Sequence, residues 1–115
     1  MNKKIRTRWT AALRSSDFKQ GIGQLRTGDN YCCLGVLCDL YRRDSTTPKD
    51  ARWNNGIFYP GDDIVPEAGL LPDAVMKWAG LLSLDPNLGA AESAVTMNDG
   101  GSGFAQIADA IEKYL

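Results

Sequence analysis

Three cysteines and no histidine set the chemical limits of this 115-residue chain. All three thiols lie in one apolar run, Tyr31-Cys32-Cys33-Leu34-Gly35-Val36-Leu37-Cys38-Asp39-Leu40-Tyr41. A cysteine nucleophile normally draws on a histidine base, and the same absence removes Ser-His-Asp triads and most zinc sites. At about 100° per helical residue, Cys33 stands about 100° from Cys32 and about 140° from Cys38, so the thiols do not converge on one ion. Asp39 is the one further local ligand, whereas a zinc or iron–sulfur site takes about four. The run therefore reads as small buried hydrophobes and no metal is expected. A reactive thiolate at Cys32 or Cys33, lowered in pKa by a helix amino end, is the alternative.

A second set is suited to recognition. Gln24, Arg26, Tyr31, Trp53, Asn98 and Asp99 each lie in or beside a loop signal and carry a polar group or a flat ring. Arginine grips phosphate bidentately and aromatic rings stack a base, so these six are the candidate ligand-binding residues. A phosphate beside Arg26 would also meet the N–H groups that start the cysteine helix. The plainer reading is that Arg26 pairs with a carboxylate of the chain and that the aromatics fill the core. Gly21-Ile22-Gly23 lacks the third glycine of a dinucleotide loop, and no Gly-Lys-Ser or Gly-Lys-Thr phosphate loop is present. Asp62, Asp63 and Glu67, with Glu92 and Asp99, are the carboxylates that could take a divalent ion, although adjacent acids in a Pro-Gly turn are usually solvated. No cofactor and no catalytic residue is expected.

The elements that must position these groups follow from periodicity. Ile5, Trp9, Ala12 and Leu13 recur at helical spacing, which predicts an amphipathic helix over 3–15. Residues 20–26 read as a short strand or extended loop leading to a Thr27-Gly28-Asp29 turn. Asp29 or Asn30 is the expected cap of a helix over 31–43, apolar around most of its circumference and hence the centre of the core. Arg42 and Arg43 sit where cations favour its carboxyl end. An exposed loop over 44–52 precedes a small antiparallel hairpin, with Asn54-Asn55-Gly56 as its turn signal and Ile57-Phe58-Tyr59 as a strand. Pro72 opens a third helix that Gly80 ends. Asn98-Asp99-Gly100-Gly101 reads as a loop and Ser102 as a cap, before a last helix with Phe104, Ile107, Ala108, Ile111 and Leu115 on its inner face. The expected fold is one α+β domain: about four helices around the Cys-rich helix, with a small antiparallel sheet.

Charge divides the chain. Residues 1–53 carry eleven Lys or Arg against five Asp or Glu, whereas 54–115 carry two against nine. This is either a basic surface for a phosphate-bearing ligand or nucleic acid, with an acidic surface elsewhere, or two halves whose charges meet on folding. No apolar stretch approaches the roughly 20 residues of a membrane span, and the basic start lacks the apolar core of a secretory leader, so no membrane association is expected.

Taken together, Trp9-x-x-Ala12-Leu13-Arg14-Ser15, Gln20-Gly21-x-Gly23-x-Leu25-Arg26, the block Tyr31 to Leu40, Leu71-Pro72 with Trp78-Ala79-Gly80-Leu81, and Met97-Asn98-Asp99 ahead of Phe104-x-x-Ile107-Ala108 resemble a family of small proteins encoded by tailed bacteriophages and prophages. The resemblance implies a phage origin and a place in the host cytoplasm, and it carries over no catalytic residue. Phage proteins of this size often bind host machinery. The expectation is a non-enzymatic binding protein that sequesters a nucleotide signal of host defence, its phosphates on Arg26 and its bases on Tyr31 or Trp53. A protein–protein inhibitor of a host protein and a small enzyme using carboxylates or a thiolate are the alternatives; homo-oligomerisation is left open.

Overall fold

The amide side chain of Asn2 accepts a hydrogen bond from Ile5 N at 3.0 Å and so starts α1, Lys3–Arg14. In the computed structural model, which describes residues 1–61, 68–89 and 92–115, Ile5, Trp9, Thr10 and Leu13 form the buried stripe of this helix. Thr10 is a polar member of that stripe, and its hydroxyl donates back to Arg6 O and Thr7 O. Ser15 ends the helix by donating from its hydroxyl to Ala12 O at 2.7 Å.

A three-stranded sheet of two-residue strands follows. β3 (Asn30–Tyr31) is its centre, parallel to β1 (Lys19–Gln20) and antiparallel to β2 (Arg26–Thr27), with Gln20 and Arg26 both in register with Tyr31. Asn30 therefore belongs to a strand and caps nothing, and Asp29 lies in the turn. The cap of α2 (Cys33–Arg43) is Cys32, whose sulfur accepts from Gly35 N at 3.4 Å.

Every residue of α2 from Cys33 to Tyr41 is buried, as apolarity around most of its circumference requires, and the charged Asp39 is buried with them. Trp9 reaches across from α1 and donates its indole N–H to Cys33 O at 2.9 Å. Gly35 lets the helix touch the chain before β2: a Cβ there would stand 1.8 Å from Leu25 O. The second sheet is the expected hairpin, β4 (Arg52–Asn54) with β5 (Ile57–Tyr59), in which Trp53 opposes Phe58. Asn55 at φ 52° and Gly56 at φ 78° supply the two left-handed residues that a tight hairpin turn matching strand twist demands.

Three further helices close the core. Pro72 precedes α3 (Asp73–Ala79), and Gly80 ends it in the left-handed conformation. Ser93 caps α4 (Ala94–Asp99), so Asn98 and Asp99, expected in a loop, are its last two residues. Gly103, not Ser102, precedes α5 (Phe104–Tyr114), and its N–H is taken by the Gln106 side chain at 3.0 Å. α5 buries Phe104, Ile107, Ala108 and Ile111, and its pairing with α1 is the most extensive between elements. The molecule is thus an α+β fold of five described helices around α2, with one mixed and one antiparallel sheet. No helix among the described residues is long and apolar enough to cross a membrane. Of the ion pairs among these residues, only those of Arg14, with Asp109 and Glu112, join the basic half to the acidic half; Arg8, Arg26, Arg42 and Arg43 pair within their own half.

Candidate functional site

Leu25, just before β2, is fully buried in the core, and the next side chain, Arg26, is partly exposed. The Arg26 guanidinium lies over two rings at once, 5.0 Å from the centroid of Tyr31 and 5.6 Å from that of Trp53. Its Nε donates to Gly28 O at 2.8 Å, and Nη2 is 3.9 Å from the exposed Asp29 carboxylate. Among the described residues no acceptor engages Nη1. Cation–π contacts of this kind contribute about 0.5–1 kcal/mol at exposed sites and hold an otherwise mobile side chain in place.

The rings are themselves fixed. Tyr31 meets Phe18 and Trp53 edge-on, with centroids 5.0 and 5.8 Å away, and Trp53 meets Phe58 at 5.0 Å. The Trp53 indole N–H donates to Asp39 Oδ1 at 3.0 Å, and Arg42 Nε donates to the same oxygen at 2.9 Å. Asp39 is 0% exposed. Its Oδ2 lies 2.8 Å from Arg43 Nε, an ion pair that lacks hydrogen-bond alignment. Burial, and next the Asp39 charge, push the Tyr31 phenol above its ordinary value of 10.0.

Between β2 and the hairpin turn opens a cleft of about 430 Å³ lined by Gln24, Arg26, Thr27, Gly28, Trp53, Asn55 and Gly56. Arg26 is the one charged residue of this lining; the others offer neutral polar groups, glycine backbone and one face of an indole. Such a wall offers an anion the Arg26 guanidinium, against the exposed Asp29 carboxylate 3.9 Å from Nη2, and offers hydrogen bonds to a polar ring edge.

The structure brings together three of the six candidates, Gln24, Arg26 and Trp53, with Tyr31 behind them as support. Asn98 stands elsewhere and is 1% exposed. Its Oδ1 accepts from Cys33 N at 3.1 Å and Gln20 Nε2 at 3.0 Å, while its Nδ2 donates to Gly21 O at 2.8 Å. These bonds tie α4 to α2 and β1. Asp99 accepts from Gly23 N at 3.1 Å and borders a separate void of about 60 Å³ with Gln24 and Cys32. Thr27 and Asn55 are cleft residues that the sequence presented only as turn formers; the Asn-Gly and Thr-Gly pairs marked loops, and loops on a fixed scaffold are where binding groups gather.

The amino end of α2 does not face the cleft chemistry expected of it. Cys33 N is taken by Asn98 and Gly35 N by Cys32 sulfur, both inside the core. The thiols are also far from reactive, since burial pushes Cys32 up to about 11 and holds Cys33 and Cys38 well above the ordinary 9.0. Among the described residues no three His, Cys, Asp or Glu side chains gather as a metal site. Asp62, Asp63 and Glu67 lie outside the described residues.

One family model, a domain of unknown function, DUF8296, matches residues 1–115. The chain belongs to this family. No curated protein and no solved structure matches the DUF8296 chain.

Proposed function

We propose that this DUF8296 protein is a non-enzymatic binding protein, encoded by a phage and acting in the host cytoplasm, that sequesters a nucleotide signal of host defence in the cleft beside Arg26. One observation carries the reading: a guanidinium fixed over two aromatic rings, with Nη1 directed to no acceptor among the described residues, in a cleft otherwise lined by neutral polar groups and an indole. A cation held in place loses little rotamer freedom on taking a phosphate, which preserves affinity. Gln24, Thr27 and Asn55 supply donors and acceptors for a base or sugar edge, and Trp53 an apolar wall. The phage origin is supported by the resemblance of the Tyr31 to Leu40 block, and the buried, protonated thiols favour binding over catalysis.

The test is calorimetry with a panel of linear and cyclic nucleotides on the parent chain and on Arg26→Ala. Removing a hydrogen bond to a charged group weakens binding by about 1.5–3 kcal/mol, roughly 10- to 150-fold. The same variant loses about 1 kcal/mol of stability or less, because its ring contacts and the Gly28 bond lie at the surface. A parent chain that binds none of the panel ends this reading. A stoichiometric host protein, found with the chain from infected cells in place of a nucleotide, would replace it with the inhibitor reading.

A further inference from the structure

Asp39 is more deeply buried than either of its cationic partners requires. Arg42 and Arg43 are 40% and 53% exposed, and one helical turn would let both meet a carboxylate in water, where such pairs contribute little. Taking a carboxylate out of water is costly, and the group that makes use of its position is the Trp53 indole, 14 residues on and in another element. The hairpin β4–β5 shares no ladder with the sheet that carries Arg26. Its turn nevertheless lies against that sheet, close enough that a Cβ on Gly56 would stand 2.7 Å from Arg26 O. The bond from Trp53 Nε1 to Asp39 ties the hairpin to α2 through a charged acceptor and is therefore both strong and selective for one ring orientation, whereas the second bond from α2, Tyr41 Oη to Pro60 O just past β5, is long at 3.4 Å.

We infer that Asp39 is a positioning residue of the cleft: through Trp53 it sets the hairpin against β2, and with it the spacing at which Asn55 and Gly56 face Arg26. The inference rests on the reading of the cleft as an anion site. Asp39 never touches the ligand. It holds the wall that does, while Arg42 and Arg43 keep the buried charge compensated.

The test uses the full chain labelled with ¹⁵N and inorganic pyrophosphate as the probe, comparing the parent with Asp39→Asn and Trp53→Phe. The chain has three tryptophans, so three indole resonances report. In Asp39→Asn the Trp53 resonance should move while those of Trp9, bonded to Cys33 O, and Trp78 stay. Pyrophosphate affinity should fall about tenfold in either single variant, the size of one hydrogen bond to a charged group, and no further when the two are combined. A moved Trp53 resonance with unchanged affinity overturns the inference and leaves the cleft reading standing. A parent chain that binds neither pyrophosphate nor any nucleotide overturns both. Should Asp39→Asn fail to fold, Trp53→Phe decides: pyrophosphate affinity equal to the parent's refutes the inference, a tenfold loss together with moved backbone amide resonances of Asn55 and Gly56 supports it, and the same loss with those resonances unmoved is the loss of the ring that lines the cleft and refutes it.

Discussion

Gly35→Ala adds one methyl group at the tightest point of the fold. The new carbon would stand 1.8 Å from Leu25 O and 2.8 Å from Leu25 C, where about 3.3 Å is the closest comfortable approach. α2 and the Leu25 segment must therefore part by more than about 1 Å, and neither can yield by rotating a side chain, because the clash is with backbone. Overpacking of side chains costs about 1–3 kcal/mol, and a backbone clash belongs at or above the upper end. Separation also strains the bond from Cys32 N to Leu25 O at 3.1 Å, for about 1 kcal/mol more. Alanine's helix preference returns about 1 kcal/mol. The net loss is about 3 kcal/mol, or a fall in Tm of roughly 10 °C. Urea unfolding followed by tryptophan fluorescence measures it, with Gly69→Ala as control, since that methyl meets nothing closer than Gly23 O at 3.9 Å. Because Leu25 directly precedes Arg26, the same variant should weaken whatever the cleft binds. A Gly35→Ala protein within about 0.5 kcal/mol of the parent would refute the close contact of α2 with Leu25.

Two further outcomes follow from the buried polar groups. Asn98→Ala leaves Cys33 N and Gly21 O without their partner and takes from the Gln20 amide one of its two acceptors, Ser102 O remaining, which should cost about 2–4 kcal/mol in thermal or urea unfolding; a loss below about 0.5 kcal/mol would show that Asn98 is not the tie between α4, α2 and β1. The thiols are protonated in the fold up to higher pH than in the unfolded chain, so the unfolded chain loses its protons first on raising the pH. Stability from this source is full below about pH 9 and is lost as pH rises towards 11, the value for Cys32; urea midpoints at pH 8 and 10.5 should differ in that direction, and equal midpoints would contradict the burial of the thiols.

The helices were legible where burial writes a period into sequence. Ile5, Trp9 and Leu13 gave α1, Phe104, Ile107 and Ile111 gave α5, and the apolar run from Cys33 to Cys38 announced a helix enclosed on most sides. The hairpin was equally readable, because Asn55-Gly56 supplies both left-handed residues of its turn. The mixed sheet was not. Its strands have two residues each, too short for any alternation, and the parallel pairing of Lys19 with Asn30 is fixed by tertiary contacts alone. Asn98 misled for a related reason: asparagine before Asp-Gly-Gly reads as a turn, and nothing local distinguishes a loop asparagine from one whose amide is consumed inside the core. The Arg26–Trp53–Asp39 arrangement joins three elements, so sequence could name Arg26 and Trp53 as candidates for recognition but could not reveal that a buried carboxylate accepts the indole N–H of the second.

The pairing of α1 with α5 has a consequence for how the molecule comes into being. Arg14 meets Asp109 and Glu112 across 95 and 98 residues of chain, and the apolar stripe beneath those pairs is completed only by α5. A ribosome delivers α1 and α2 well before α5, so the side of α1 that α5 covers stays open while the intervening elements are made. Closing so long a loop entails its entropic cost before the contacts that reward it, which places the final docking late and makes it slow relative to the local turns and hairpin. Completion of the α1 surround therefore waits for α5.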